Sequence, residues 1–293
     1  MGRLSGLKNK HLDMIKIGGH VSAAGGIQKA VGRATDLEFQ CFQIHPSAPQ
    51  RWQSPNPSDQ DIQSYAQQVQ ELDLPSFMHN VYLVNFASED PLQIEKSIKI
   101  TKDYLNLASR AGSLGVPTHL GSHKGRGLSA VLPGLSEGVQ EAIKGTENAQ
   151  FIIENTAGAG GNIGRDLKEF DLIMSSMPQI RNRLGICIDT CHAFAAGIPI
   201  HTQEGLDQFM DEFEERFGLE SLSCIHLNDS KHQFGSGKDR HENIGDGFMG
   251  NDAFARIFHH PKLQKVPFIM EVPGIEGHGP DAINRERVVA LAS

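Results

Sequence analysis

The chain has 293 residues, 39% hydrophobic and 21% charged, with a formal net charge of −8 at pH 7. That length suits two ordinary domains or one large α/β barrel, which typically needs about 250 residues. No apolar run of about 18 residues occurs, which excludes a membrane-spanning helix, and the acidic balance excludes a protein that coats nucleic acid through bulk positive charge.

Residues 1–13 carry Arg3, Lys8 and Lys10 but no apolar block, so no secretory signal is expected there. Residues 1–14 read as an N-terminal tail and 15–293 as one domain. From residue 15 onward a short apolar run, a loop and an amphipathic stretch recur. Strands are expected at 15–20, 39–44, 75–79, 116–120, 151–154, 184–189, 222–227 and 267–271. After the second, Ser58-Asp-Gln-Asp61 reads as a capping box ahead of a helix with Ile62, Ala66, Val69 and Leu72 on its apolar face. After the sixth, Leu206, Phe209, Met210, Phe213 and Phe217 fall on one helical face. Eight βα units joined by crossovers imply parallel strands. A single closed (β/α)₈ barrel, with its active site at the C-terminal face of the strands, accommodates eight better than two small open sheets.

Cys41, Cys187, Cys191 and Cys224 include no Cys-x-x-Cys pair. They are expected as buried free thiols of a reducing, cytoplasmic compartment. Gly134-Leu-Ser136-Glu-Gly138 matches a nucleophile-elbow pattern, but that serine must end a strand, and here it reads as a helix start. Gly158-Ala-Gly160-Gly-Asn-Ile-Gly164 follows a strand yet is one residue off the dinucleotide fingerprint.

The chemistry lies at the strand ends. Strands three to eight finish at His79, His119, Glu154, Asp189, His226 and Glu271. A barrel brings all such ends to one face, and six metal-competent side chains in register make six separate core residues a poor account. His192, Asp239 and His241 in the following loops extend the set to five imidazoles and four carboxylates. That donor set suits Zn²⁺ best, with Mn²⁺ or Fe²⁺ as alternatives. Fourteen histidines beside one tryptophan fit a metal protein, and three divalent ions would offset six of the eight excess negative charges. Arg51, Lys124, Arg126, Lys231, Lys238 and Arg240 all follow strands, as a phosphate-gripping rim would.

At these residues the sequence resembles the endonuclease IV family of abasic-site nucleases, from about Ile17 to the C-terminus. The motifs in order are Gly19-His-Val-Ser-Ala-Ala-Gly-Gly26, His79-Asn-Val-Tyr-Leu-Val-Asn85, His119-Leu-Gly121 and Ile153-Glu-Asn-Thr-Ala-Gly158. Cys187-Ile-Asp-Thr-Cys-His192, His226-Leu-Asn-Asp-Ser-Lys231, Asp239-Arg-His241 and the segment from Glu271 follow. The resemblance implies three zinc ions and cleavage of the phosphodiester 5′ to an abasic site in double-stranded DNA by a monomer. His79, His119 and Glu154 would hold one ion; Glu154, Asp189, His226 and Glu271 a second; and His192, Asp239 and His241 a third. Tyr82 and Leu83 resemble the residues that enter the duplex, and either Gln50 or Arg51 the residue that probes it; Lys124, Arg126, Lys231 and Arg240 are further candidates for DNA contact. The sequence departs from the family at Val81, at Leu120 and in Ala48-Pro-Gln-Arg-Trp52. A sugar isomerase or epimerase on a related metal-bearing barrel is the alternative reading, with no evident use for the His192, Asp239 and His241 set. A lesion-binding protein without catalysis is a further one.

Overall fold

The computed structural model describes residues 15–293, so the tail expected over 1–14 lies outside the described residues. In chain order the first half comprises β1 (Ile17–His20), α1 (Gln28–Asp36), β2 (Cys41–Ile44), α2 (Asp59–Glu71), β3 (Ser76–Met78), α3 (Pro91–Ala111), β4 (Gly115–Thr118), α4 (Leu128–Ile143) and β5 (Gln150–Glu154). Then come α5 (Leu167–Ser175), β6 (Leu184–Asp189), α6 (Thr190–Ala195), α7 (Gln203–Phe217) and β7 (Leu222–Leu227). A small hairpin of β8 (Asp229–Ser230) and β9 (His241–Glu242) precedes α8 (Asn251–His259), β10 (Phe268–Met270) and α9 (Ala282–Ala292).

Among the described residues, eight parallel strands close into one barrel, β1 pairing with both β2 and β10. Closure needs Gly18, because a Cβ there would stand 1.7 Å from the Cys41 carbonyl oxygen. Strand residues alternate between two environments. Phe42, Ile44, Met78, Phe151, Ile153, Ile186, Ile188, Ile225, Phe268 and Met270 join the main core, which includes the buried faces of the helices. Cys41, Phe77, Ile152, Cys187, Cys224 and Ile269 form a separate buried cluster inside the barrel. The period of two then dictates what comes next. Two residues further along the same strands stand Gln43, His79, Glu154, Asp189, His226 and Glu271. An apolar floor therefore lies directly beneath a polar layer at the C-terminal end.

The amphipathic expectations hold with two adjustments. The α7 residues Leu206, Phe209, Met210, Phe213 and Phe217 are all buried, each side chain contributing about 1.5–3 kcal/mol. Ser58 caps α2 by accepting from Asp61 N at 3.1 Å. The buried face of α2 is Ile62, Tyr65 and Val69, however, and Leu72 is 53% exposed because the helix has already ended at Glu71. Ser136 lies inside α4, with its hydroxyl donating to Leu132 O at 2.7 Å, because the helix starts earlier, at Leu128.

All four cysteines are buried and free. Among the described residues no helix is long and apolar enough to cross a membrane.

Candidate metal centre

Strand alternation aims His79, Glu154, His226 and Glu271 into the barrel mouth, and the chain just beyond β4 adds His119. Glu154 is 1% exposed and sits at the middle. Its Oε2 lies 3.0 Å from His79 Nε2 and 3.5 Å from His119 Nε2, and its Oε1 lies 3.0 Å from His226 Nδ1. Glu271 Oε2 is 3.3 Å from the same His226 nitrogen. Burial alone would raise the Glu154 carboxyl, but His119, His226 and His79 hold it well below the usual carboxylate range.

The remaining candidates come from the ends of β6 and β7. Asp189 caps α6, accepting from His192 N at 2.8 Å, which turns His192 into the mouth. The excursion between β8 and β9 brings back Asp239 and His241. Asp239 Oδ1 lies 3.1 Å from His192 Nε2 and 3.4 Å from His241 Nε2, and Asp189 Oδ2 lies 3.5 Å from the latter. Burial lowers the His192 imidazole, but Asp189, Asp239 and Glu154 outweigh it and carry it to about 10.

All nine sequence-predicted ligands are thus brought together around one mouth. The ligand atoms of His79, His119 and Glu154 lie within 4.8 Å of one another, as do those of His192, Asp239 and His241. Most of the nine line a cavity of about 430 Å³, together with Tyr82 and Arg240.

The donor set passes a chemical test for a cation. A backbone carbonyl only accepts, so Asn80 O, 2.8 Å from His79 Nδ1, fixes the ring proton there and leaves Nε2 as the lone pair. Asn155 O does the same for His192 Nδ1 at 2.9 Å and Glu271 O for His241 Nδ1 at 3.3 Å. The freed nitrogens point at carboxylates that cannot donate. In the neutral rings His192 Nε2 and His241 Nε2 face these acceptors with no donor among the described residues, so a cation or, as the carboxylates favour at His192, a second proton must stand between them. Buried polar atoms left this way are costly unless an ion satisfies them.

Sequence reasoning missed the residues that brace this set. Asn155 accepts from Asp189 N at 2.5 Å, and Asn228 donates to Asp189 Oδ2 at 2.6 Å while accepting from Glu271 N at 2.9 Å. Gln43 reaches Glu271, His226 and His20. Its signal was available: two positions after inward Cys41, it is polar in an apolar strand. His45 lies beyond the end of β2. Its Nδ1 donates to His79 O at 3.1 Å, which leaves Nε2 to accept from the Tyr82 hydroxyl at 3.3 Å.

The candidate DNA contacts are more dispersed. Tyr82 is 55% exposed at the cavity mouth, whereas Leu83 is half-buried against the core. Gln50, Arg51, Lys124, Lys231 and Arg240 are exposed on loops after strands. Arg126 is tied down, donating to Ala87 O and to His123 O and pairing with Glu89 at 3.7 Å. Val81 and Leu120, the two departures beside ligands, are 3% and 0% exposed and pack in the core. The glycine-rich run clasps the preceding loop: His123 N donates to Gly161 O at 3.0 Å and Ile163 N to Gly121 O at 3.0 Å.

This barrel matches, over residues 31–290, the family described as xylose isomerase-like TIM barrel, and the chain belongs to it. It is 36% identical to the probable endonuclease 4 of Thermosipho africanus over 264 residues, 89% of this chain and 93% of the relative. To that of Haloarcula marismortui it is 33% identical over 279 residues, 95% and 99% of the two chains. The crystal structure of endonuclease IV from Thermus thermophilus aligns with a TM-score of 0.82 at 31% identity, covering 94% of this chain and 98% of that one. Within the barrel family, the chain is a member of the endonuclease IV family. A D-tagatose 3-epimerase-like protein shares the fold, with a TM-score of 0.71 at 16% identity.

Proposed function

We propose that the chain is a zinc-dependent DNA-repair endonuclease. It hydrolyses the phosphodiester 5′ to an abasic site in duplex DNA, leaving a 3′-hydroxyl and a 5′-deoxyribose phosphate. The observation that carries the reading is the convergence of His79, His119, Glu154, His192, Asp239, His241 and Glu271 on one cavity, with Asp189 and His226 buried against them. It is supported by relatives named probable endonuclease 4 at 36% identity.

His79, His119 and Glu154 would hold one ion, Glu154 with Asp189, His226 and Glu271 a second, and His192, Asp239 and His241 a third. Bound ions would supply Lewis acidity, offsetting charge on the phosphate group and making water a better nucleophile at neutral pH. Glu154 holds the centre together, because its two carboxylate oxygens each face a different imidazole. Asn228 holds the Asp189 carboxylate, and Asn155 and Asn228 fix the backbone of Asp189 and Glu271. Tyr82 and Leu83 enter the duplex at the lesion, since a phosphodiester beside a stacked sugar does not reach the bottom of the mouth. Of the basic loop residues, the exposed Arg51, Lys124, Lys231 and Arg240 grip flanking phosphates.

The deciding experiment is incision of an abasic duplex oligonucleotide with end-group analysis, run beside elemental analysis of the protein. The sugar-isomerase reading draws on the fold alone and leaves the His192, Asp239 and His241 set without work. Interconversion of a ketose and an aldose by a protein inert toward abasic DNA would establish it instead.

A further inference from the structure

We infer that Gln43 is a positioning residue of the metal centre, fixing which nitrogen of His226 faces the ion and holding the Glu271 carboxylate beside it. The inference rests on the reading that His226 and Glu271 are ligands.

Gln43 is 0% exposed and turns inward from β2 at the level of the ligand layer. Its Nε2 lies 2.6 Å from Glu271 Oε1. An ionised carboxylate only accepts, so the NH₂ end of the amide, not its carbonyl, must face Glu271. The second amide hydrogen goes to His20 Nδ1 at 3.2 Å. A flip would set the amide oxygen against the Glu271 carboxylate, so the orientation is forced.

The amide carbonyl is then the group 3.0 Å from His226 Nε2. An amide oxygen also only accepts, which places a proton on Nε2. Nδ1 is left as the coordinating nitrogen, 3.0 Å from Glu154 Oε1 and 3.3 Å from Glu271 Oε2. Three acceptors converge on one point, as they would around a cation.

His226 differs from its neighbours here. His79, His192 and His241 are fixed through Nδ1 by backbone carbonyls, which no substitution removes. His226 is fixed through the opposite nitrogen, by a side chain. Its tautomer therefore hangs on one replaceable residue, and so does the reach of Glu271.

Two measurements test this. In a long-range ¹H–¹⁵N correlation spectrum of the zinc-loaded protein, His226 is expected to carry its proton on Nε2 and to show a metal-shifted Nδ1. A proton on Nδ1 overturns the inference, and this wild-type measurement stands whether or not any variant folds. Gln43→Leu, close in volume and without hydrogen bonds, is expected to bind zinc about 10- to 100-fold more weakly in competition with a chromophoric chelator. Wild-type affinity in a folded Gln43→Leu protein overturns the role of Gln43 alone. Failure of the wild-type protein to bind any divalent ion removes the ligand reading on which it stands.

Discussion

The proposed metal centre has two halves of different construction. His79, Glu154, His226 and Glu271 come from strand ends, and their side chains are between 0% and 14% exposed. His192 comes from the short helix α6, Asp239 from the loop between β8 and β9, where its side chain is 54% exposed, and His241 from the start of β9. The barrel fixes the first half through eight paired strands. The second half depends on a loop of exposed residues that returns to the mouth through one two-residue hairpin. Sites on strands hold their geometry more tightly than sites on loops, so the strand-held ions are expected to be retained while the loop-held ion exchanges.

Glu154→Ala attacks the rigid half and carries the largest expected effect. It removes a shared ligand, so incision is expected to vanish and zinc content to fall below wild type, with the circular dichroism spectrum retained. Near-normal incision would remove Glu154 from the centre. His241→Ala attacks the loop half. It is expected to lower zinc content by one ion and kcat by about 10²- to 10³-fold, the scale of losing one charge-stabilising group. A graded chelator titration sharpens the contrast: one ion should leave ahead of the others, and simultaneous loss of all would show that the halves do not differ.

Smaller effects fall outside the cluster. Replacing Tyr82 and Leu83 with alanine is expected to cost about 5- to 150-fold in duplex affinity for each stacking interaction removed, or about 1–3 kcal/mol. Tyr82 is held over the mouth by His45, so the Tyr82 share should exceed that of half-buried Leu83. A fall in melting temperature without loss of affinity would mean that both residues serve the core. Lys124→Ala should flatten the slope of log affinity against log salt by about 0.9 if the side chain meets a phosphate. Arg126→Ala should leave that slope unchanged and lower stability instead, because its guanidinium already serves Ala87, His123 and Glu89.

The same division governs what could be read from the sequence. The strand-end ligands were legible from where the apolar runs stop, since a barrel brings those ends to one face; in the structure all of them but His119 fall two residues after an inward apolar position. The loop ligands had no periodicity to mark them, and their assignment to one ion came from the family resemblance. Gln43, His45, Asn155 and Asn228 went unread because a bracing role consists of partners, and those partners lie on other strands. Leu72 and Ser136 were misplaced for a local reason: helix ends move by a few residues, and a side chain near an end changes face with them.

The floor beneath the ligands has one more consequence. Cys41, Phe77, Ile152, Cys187, Cys224 and Ile269 seal the barrel below the polar layer, and burial pushes the Cys187 thiol well above its usual range, so this stratum stays uncharged. It polarises weakly, whereas the water above the mouth polarises strongly. Field lines from the centre are crowded out of the barrel wall and leave through the opening. Were the three proposed divalent ions bound among the four carboxylates, those lines would start from surplus positive charge. A protein of net negative charge could in this way draw a phosphodiester to a single opening.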